Sequence, residues 1–521
     1  MSAEVSGTKG AGLLRSGMVV GVMTMLSRVL GLARDVVVAT LFGAGSGADA
    51  FFIAFRIPNF LRRLFAEGAF NQAFVPVLSE YASQRERREV RELLDATAGT
   101  LAVVLLGITV LAVLCSPWLV WVFAPGFHDD GHGKLALTAE MLRLTFPYLL
   151  LISLTAFSGS VLNSYGRFAV PAFTPVLLNL SMIGAGLWLA PLLDVPVMAL
   201  AWGVLIAGIA QLLFQIPFLM RLGLLPRLRP NFRHTGVRRI LRLMGPAMFG
   251  VSVSQINLLL DTVLASILVG GSVSWLYYSD RLVELPLGVF GIAIGTVILP
   301  ALSRQHASDD PTHFARMIDW GIRAVLLIGL PAALALIVLA EPLLITLFHY
   351  GAMTDHDIVM ASRSLRAYAL GLVAFMLIKV LAPGYYARQD TRTPVKIGII
   401  AMVANMAFNL ILMWPLAHAG LALATAMSAW LNALLLGRGL LRRDVLKFQP
   451  GWGRLSLQLL VGCVLLTGGL WWLTPDWQQW LSWGIEQRLV VLLGLIVAAL
   501  AVYFTWLGLA GVRVRHFKLR G

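Results

Sequence analysis

The hydrophobic pattern of this chain predicts a long series of membrane-spanning helices. Apolar runs of about 18 residues or more recur along the whole sequence, which a soluble core does not explain. The period-two alternation of strands is absent, so we expect helices to satisfy the backbone in lipid. We therefore predict an all-α polytopic membrane protein with about fourteen transmembrane helices. Their predicted spans are 14–42, 49–81, 93–124, 138–164, 170–190, 196–220, 237–269, 273–302, 319–348, 358–386, 394–415, 419–441, 455–473 and 488–511.

Composition and charge agree with this fold class. Hydrophobic residues make up 58% of the 521 residues, charged residues make up 13%, and the net charge is +15. The basic residues concentrate in every second loop, while the loops between are acidic or neutral on balance, as the positive-inside rule requires. This alternation predicts an even number of spans with both termini in the cytoplasm. The positive charge therefore indicates membrane orientation and not nucleic-acid binding.

Several classes of function are not supported by the sequence. The only two cysteines, Cys115 and Cys463, lie in apolar runs and form neither a disulfide framework nor a metal-binding pair. The chain has no phosphate-binding glycine-rich loop followed by Lys-Ser/Thr and no His-Glu-x-x-His motif. Lys9 and Arg15 precede the first apolar run without a clear cleavage site, which predicts a retained first span. We expect a transporter without a resident cofactor, and not an enzyme.

A weak internal repeat divides the chain into two similar halves. Val75–Ser79 resembles Leu299–Ser303, and Thr174–Pro175 resembles Thr393–Pro394, both at an offset of about 220–230 residues. Repeats of this kind surround the substrate site of many secondary transporters. Chance similarity among apolar helices is the alternative interpretation. The predicted parts are a six-helix half at 1–225, a second at 226–447, and two further helices with a basic cytoplasmic tail at 448–521.

Charged residues lie inside predicted spans, where each costs about 2.5–3.5 kcal/mol at the helix centre if it faces lipid. Many are spaced by three or four residues and form stripes, so we expect them to face a wet interior. Pro58 lies in the middle of the second stripe and predicts a kink. The charges are Arg28, Arg34 and Asp35 on the first span, Asp49, Arg56, Arg62, Arg63 and Glu67 on the second, and Asp280, Arg281 and Glu284 on the eighth.

Basic residues outnumber acidic ones among all the charges inside these spans, which predicts an anionic cargo. The planar guanidinium fork suits phosphate oxygens in particular. The alternative interpretation is that static ion pairs hold the helices together. For Lys379, in the tenth predicted span, a cavity role and extension of the amine to the membrane surface are equally supported.

Four further polar residues carry oxygen ligands on separate predicted helices. They are Asp261, Asn405, Asn409 and Thr425. A monovalent cation such as sodium is one interpretation of this set. Interhelical hydrogen bonding is the other, since intramembrane Asn and Thr commonly bond in that way.

Several motifs of this sequence resemble those of the bacterial lipid II flippase family called MurJ or MviN, and the resemblance covers nearly the whole chain. That family belongs to the multidrug/oligosaccharidyl-lipid/polysaccharide exporter superfamily. The motifs are Ser27–Asp35, Phe42–Gly45, Ala48–Phe52, Pro58–Asn59, Leu61–Arg63, Phe65–Phe70, Gly271–Trp275, Tyr277–Tyr278, Asp280–Leu282, Lys379–Gly384 and Arg388–Asp390.

The resemblance implies a function, a location and a set of site residues. It implies transfer of lipid II, the undecaprenyl-diphosphate-linked peptidoglycan precursor, across the bacterial inner membrane, with other cell-wall synthesis proteins as further partners. The resemblance also includes a sodium site of the family, which the four sodium candidates Asp261, Asn405, Asn409 and Thr425 match only loosely. Two alternatives remain: a flippase for another polyprenyl-diphosphate-linked glycan, and a polytopic lipid-modifying enzyme. By position, the charges assigned to the family's central cavity are Arg28, Arg34, Asp49, Arg62, Arg281 and Glu284.

Overall fold

The computed structural model describes residues 2–128, 133–307 and 311–512, and these residues form helices joined by turns and short loops. They divide into two compact units, the first ending at Gly271 and the second beginning at Ser272. The α-helices of the first unit are α1 Ser2–Phe42, α2 Ser46–Arg62, α3 Asn71–Gln84, α4 Arg87–Leu114, α5 Ser116–Phe123, α6 Lys134–Thr145, α7 Tyr148–Ser164, α8 Ala169–Gly184, α9 Met198–Leu222 and α10 Thr235–Ile267. Those of the second are α11 Ser272–Ala307, α12 Pro311–Val338, α13 Ala340–Phe348, α14 Asp355–Ala369, α15 Leu372–Tyr386, α16 Arg392–Arg442, α17 Trp452–Leu473, α18 Trp477–Ser482 and α19 Ile485–Leu509.

The helices confirm the predicted all-α membrane fold. Within the described ranges, nine helical segments are long and apolar enough to cross a membrane. Each of the fourteen predicted spans falls on helical structure, although several consist of two consecutive helices. The number of crossings, fourteen, stays a prediction.

Helix α2 runs through Pro58, and the kink predicted at this residue stays a prediction. Pro58 is inside α2, and its missing amide leaves the carbonyl of Ala54 without the usual helical donor. The Thr145 hydroxyl donates to that carbonyl at 2.9 Å, so the helix continues past the proline. An irregularity follows at Arg63–Phe70, which forms a π-helix before α3. A neighbouring helix therefore satisfies the group that the proline leaves unpaired.

Aromatic and aliphatic side chains form the core of the first unit, where α3, α4, α7 and α10 meet. Phe70 stacks on Phe74 with ring centroids 5.0 Å apart, and Phe157 packs against both rings. These side chains are almost fully buried. Burying a Phe side chain contributes about 1.5–3 kcal/mol, so this core fixes the helices that carry the charges of the second span.

The eleventh and twelfth predicted spans form one hydrogen-bonded run, α16, with a sharp change of direction at Ala417. Ala417 has φ 49° and ψ −132°, which is not helical. A Cβ at Gly420 would collide with the carbonyl of Leu412, so glycine permits the close approach of the two arms. The predicted boundary at 416–418 therefore coincides with the observed break.

The two C-terminal spans are attached to the second unit by buried polar groups at one end. The Asp319 carboxylate accepts hydrogen bonds from the Trp452 indole at 2.7 Å and from the Gln449 amide at 3.2 Å. Arg323 donates to the same carboxylate at 2.7 Å, which compensates its charge. These bonds hold the start of α17 against α12.

A buried arginine attaches α19 in a different way. Arg488 donates to the carbonyls of Trp480 and Leu481 near the end of α18, at 3.0 and 3.1 Å. It also donates to the carbonyls of Ile345 and His349 at the end of α13, at 3.5 and 3.4 Å. The carbonyl groups of a helix C-terminus carry partial negative charge, so they favour a cation there. Arg488 therefore joins the ends of two helices.

Outside the spans, Asp390 closes the turn between α15 and α16. Its carboxylate accepts from the hydroxyl and amide of Thr393, at 2.7 and 3.0 Å, and from Arg443 at 2.6 Å. These hydrogen bonds, those from Thr393 first, hold the pKa of Asp390 well below its usual range. The Arg443 guanidinium also lies over the Tyr385 ring at 5.7 Å.

The compact units do not follow the predicted repeat boundary at 225/226. Helix α10 packs against the Arg63–Phe70 π-helix and α3, and it therefore belongs to the first unit. Packing and sequence repetition are different properties. The boundaries at 225 and 447 accordingly stay predictions.

Candidate substrate-binding site

Arg28 is the first cation of the predicted stripe on α1, and it is half-buried. Within the described part of the chain, it forms no hydrogen bond or ion pair. No carboxylate of the described residues therefore compensates its charge at contact distance. The Arg28 guanidinium is thus available to an anion.

Arg34 has the opposite environment, although it is only six residues away on the same helix. Its guanidinium donates to the Asp35 carboxylate at 2.7 and 3.0 Å, and both residues are buried. It also donates to the Asn179 side chain at 3.2 Å, and Asn179 donates to the carbonyl of Ser27. The resulting network joins α1 to α8. The geometry favours a structural role for Arg34, because removing one partner of a buried pair leaves an uncompensated charge.

Asp49 is likewise buried in a network within the first unit. Its carboxylate accepts from the Lys134 amine at 3.2 Å and from the Gly271 amide at 2.7 Å. The Lys134 amine lies 4.3 Å from the centre of the Phe127 ring. These contacts connect α2 with the start of α6 and with the segment that follows α10. They favour a structural role for Asp49 too.

Arg56 on α2 is half-buried and has a neutral partner. Its Nη1 donates to the hydroxyl of Thr262 on α10 at 2.6 Å. The Thr262 hydroxyl in turn donates to the carbonyl of Leu258 at 2.9 Å. A hydroxyl acceptor orients the guanidinium and leaves its positive charge in place.

The remaining charges of the second span follow one turn later. The Arg62 guanidinium donates to the Asn59 side chain at 2.9 Å. Arg63 begins the π-helix and is half-buried. Glu67 lies in the same π-helix, and its side chain is outside the described residues.

In the second unit, Arg281 and Glu284 lie one turn apart on α11. They form an ion pair at 3.0 Å with side chains 35% and 45% exposed. The Arg281 guanidinium also donates to the Tyr277 hydroxyl at 3.3 and 3.4 Å and lies over its ring. This pair is therefore much wetter than the Arg34–Asp35 pair. Lys379 on α15 is exposed, a position that agrees with both interpretations of its role.

The four candidate cation ligands are distributed over the two units. Asp261 lies on α10 of the first unit. Asn405 and Asn409 are buried one turn apart in α16, and the Thr425 hydroxyl donates to the carbonyl of Leu421 at 3.1 Å. The sodium interpretation and the hydrogen-bonding interpretation both stay predictions.

Three important partners were not found in the sequence: Thr262, Asn179 and Lys134. Thr262 and Asn179 are uncharged residues in apolar runs, 206 and 145 positions from the arginines that they contact. Lys134 lies between the third and fourth predicted spans. The only signal in the sequence that points to them is that each charge inside a membrane span needs a polar partner.

Comparisons with known proteins identify the relatives of this chain. A family model described as lipid II flippase MurJ matches residues 38–491. A Vibrio cholerae protein named as a probable lipid II flippase MurJ is 52% identical over 97% of this chain and 98% of its own length. A Burkholderia cenocepacia protein named lipid II flippase MurJ is 42% identical over 98% of this chain and 99% of its own length.

Solved structures of similar fold are also found. A lipid II flippase MurJ in an inward closed conformation aligns with a TM-score of 0.76 at 26% identity, covering 94% of this chain and 99% of that one. An inward-facing multidrug resistance transporter of the MATE family aligns with a TM-score of 0.68 at 14% identity, covering 82% and 98%. The second match concerns the fold alone.

Proposed function

This chain belongs to the lipid II flippase MurJ family, and on that premise we propose that it moves lipid II from the cytoplasmic to the periplasmic leaflet by alternating access. The match over residues 38–491 carries this proposal. It is supported by Arg28 and Arg56, two arginines inside membrane helices for which the described residues supply no compensating carboxylate. A diphosphate linking a glycan to a polyprenyl chain is the anionic group that such arginines suit.

Arg28 and Arg56 are the proposed diphosphate ligands of the first unit, and Arg281 is the proposed ligand of the second. Arg28 is uncompensated, Arg56 has only a hydroxyl partner among the described residues, and Arg281 belongs to a half-exposed pair. Hydrogen bonds to charged groups contribute roughly 1.5–3 kcal/mol each, so the loss of one weakens binding by about ten- to a hundredfold. We assign the remaining predicted cavity charges to supporting roles, with Arg34 and Asp49 as buried structural anchors.

The proposed topology has fourteen spans with both termini in the cytoplasm. The family and the helices indicate a multi-pass membrane protein. The alternation of basic and non-basic loops supports the finer statement. Single cysteines at Ser83 and Gly131 test it with an impermeant maleimide on intact cells. Labelling at Gly131 is expected, and labelling at Ser83 instead would overturn the topology.

Reconstituted transport tests the proposed function. The full chain is placed in proteoliposomes with lipid II, and the lipid exposed on each leaflet is measured over time. We expect movement between leaflets that protein-free vesicles lack, together with accumulation of lipid II on the cytoplasmic leaflet of cells depleted of the protein. Transport of a different polyprenyl-diphosphate glycan, without transport of lipid II, would favour the alternative cargo.

A further inference from the structure

The guanidinium of Arg56 is held by an uncharged side chain that comes from a distant part of the sequence. We propose that Thr262 is a positioning residue: it orients Arg56 for an anionic diphosphate and keeps the positive charge uncompensated. This role rests on the proposed function, because it requires a phosphate-bearing substrate. Thr262 acts on the substrate through Arg56.

The direction of the hydrogen bonds fixes how Thr262 acts. Its hydroxyl donates to the carbonyl of Leu258, one turn earlier on α10, at 2.9 Å. The hydroxyl proton is thereby occupied, so an oxygen lone pair remains for Arg56, whose Nη1 donates to it at 2.6 Å. Thr262 is only 2% exposed, so water does not readily replace it. The threonine therefore serves as a fixed acceptor.

The choice of a hydroxyl acceptor matters because a carboxylate here would compensate the guanidinium. The Arg34–Asp35 pair shows the alternative in the same unit, since the carboxylate there accepts two hydrogen bonds and balances the charge. The Arg56 guanidinium has five N–H donors, and the structure uses one of them on Thr262. Among the residues that the structure describes, none accepts from the other four N–H groups. These groups and the positive charge therefore remain for a ligand.

Three substitutions separate positioning from simple structural support. Thr262→Ser keeps the acceptor, Thr262→Val keeps the shape but removes the acceptor, and Thr262→Asp supplies a charged acceptor. Thr155→Val is the matched control, because Thr155 is also buried and its hydroxyl donates only to a backbone carbonyl, that of Leu151. The full-length protein is purified in nanodiscs, its dissociation constant for undecaprenyl diphosphate is measured by native mass spectrometry, and its Tm is recorded.

We expect Thr262→Ser to bind the probe within about twofold of the wild type. Thr262→Val should bind about tenfold more weakly, the effect of one charge-assisted hydrogen bond. Thr262→Asp should bind about ten- to a hundredfold more weakly while its Tm is at least that of Thr262→Val, because the new carboxylate holds Arg56 and cancels its charge. Thr155→Val should bind normally.

A purely structural Thr262 predicts the opposite for the aspartate variant. Wild-type affinity of Thr262→Asp for undecaprenyl diphosphate would overturn the positioning role. The probe would then bind equally well whether or not a carboxylate compensates the charge of Arg56. If that variant does not fold, equal affinities for Thr262→Val and Thr262→Ser would overturn it. Failure of the wild type to bind undecaprenyl diphosphate is a different result, which would overturn the proposed function and this role with it.

Discussion

Replacing Arg281 with alanine tests whether a half-exposed ion pair inside a membrane helix serves the cargo or the fold. Glu284 is its ion-pair partner at 3.0 Å, and the two side chains are 35% and 45% exposed. Pairs three residues apart on exposed helix faces contribute about 0.2–0.5 kcal/mol. The contact with the Tyr277 ring adds about 0.5–1 kcal/mol. Together these two contacts contribute about 1 kcal/mol to the folded state.

The expected loss of cargo binding is larger than this structural loss. A charge-assisted hydrogen bond to a diphosphate contributes roughly 1.5–3 kcal/mol, which corresponds to a ten- to hundredfold weaker dissociation constant. Arg281→Ala should therefore retain a Tm within a few degrees of the wild type while translocation of lipid II falls strongly. Arg281→Lys should restore function only in part, because lysine lacks the planar fork.

The double variant Arg281→Ala/Glu284→Ala distinguishes the two roles. Each variant is purified, its Tm is measured, and its lipid II translocation is followed in proteoliposomes. If the arginine binds cargo, removing Glu284 as well does not restore transport. Recovery of transport and of Tm in the double variant would refute the reasoning and favour a static ion pair.

Three further predictions concern groups with other environments. Arg34→Ala should destabilise the protein by about 3–5 kcal/mol, because it removes a buried ion-pair partner of the Asp35 carboxylate; thermal unfolding should show partial recovery in Arg34→Ala/Asp35→Ala, and a wild-type Tm in the single variant would contradict this. The pKa of Asp390 is lower in the folded protein than in the unfolded chain, where it is about 3.9. The ionised carboxylate therefore stabilises the fold at any pH above about 3.9, and this contribution is lost as the pH falls through the folded pKa. Asp390→Asn should therefore lower Tm at pH 7 and flatten its decline below about pH 4, and parallel Tm curves for both proteins would refute the assignment. If Asp261 binds sodium together with Asn405, Asn409 and Thr425, Asp261→Ala should abolish any sodium dependence of transport; transport unchanged in this variant, with or without sodium, leaves the hydrogen-bonding interpretation.

The sequence predicted the helices and the location of the charges because both follow from local patterns. Long apolar runs and arginines every three or four residues are visible without any tertiary information, and the break near Ala417 coincides with a predicted loop. The repeat suggested a boundary at 225/226, whereas packing assigns α10 to the first unit. Packing depends on side chains far apart in the sequence, which periodicity does not reveal.

The partners of the charges were not predictable for the same reason. Arg28 and Arg34 are chemically identical in the sequence, yet only Arg34 has a buried carboxylate and an asparagine beside it. Which arginine remains available depends on how α1 packs against α8, and which acceptor holds Arg56 depends on how α2 packs against α10. Local patterns therefore locate the charges, and tertiary packing determines which of them can act on a ligand.

Lipid II translocation by Arg28→Ala tests the central claim most directly, because Arg28 has no hydrogen bond or ion pair within the described residues. Its removal should leave Tm unchanged. We expect translocation to fall by about ten- to a hundredfold, as the loss of one charge-assisted contact predicts, with partial recovery in Arg28→Lys. Normal translocation of lipid II by a well-folded Arg28→Ala protein would contradict the claim that uncompensated arginines bind the cargo.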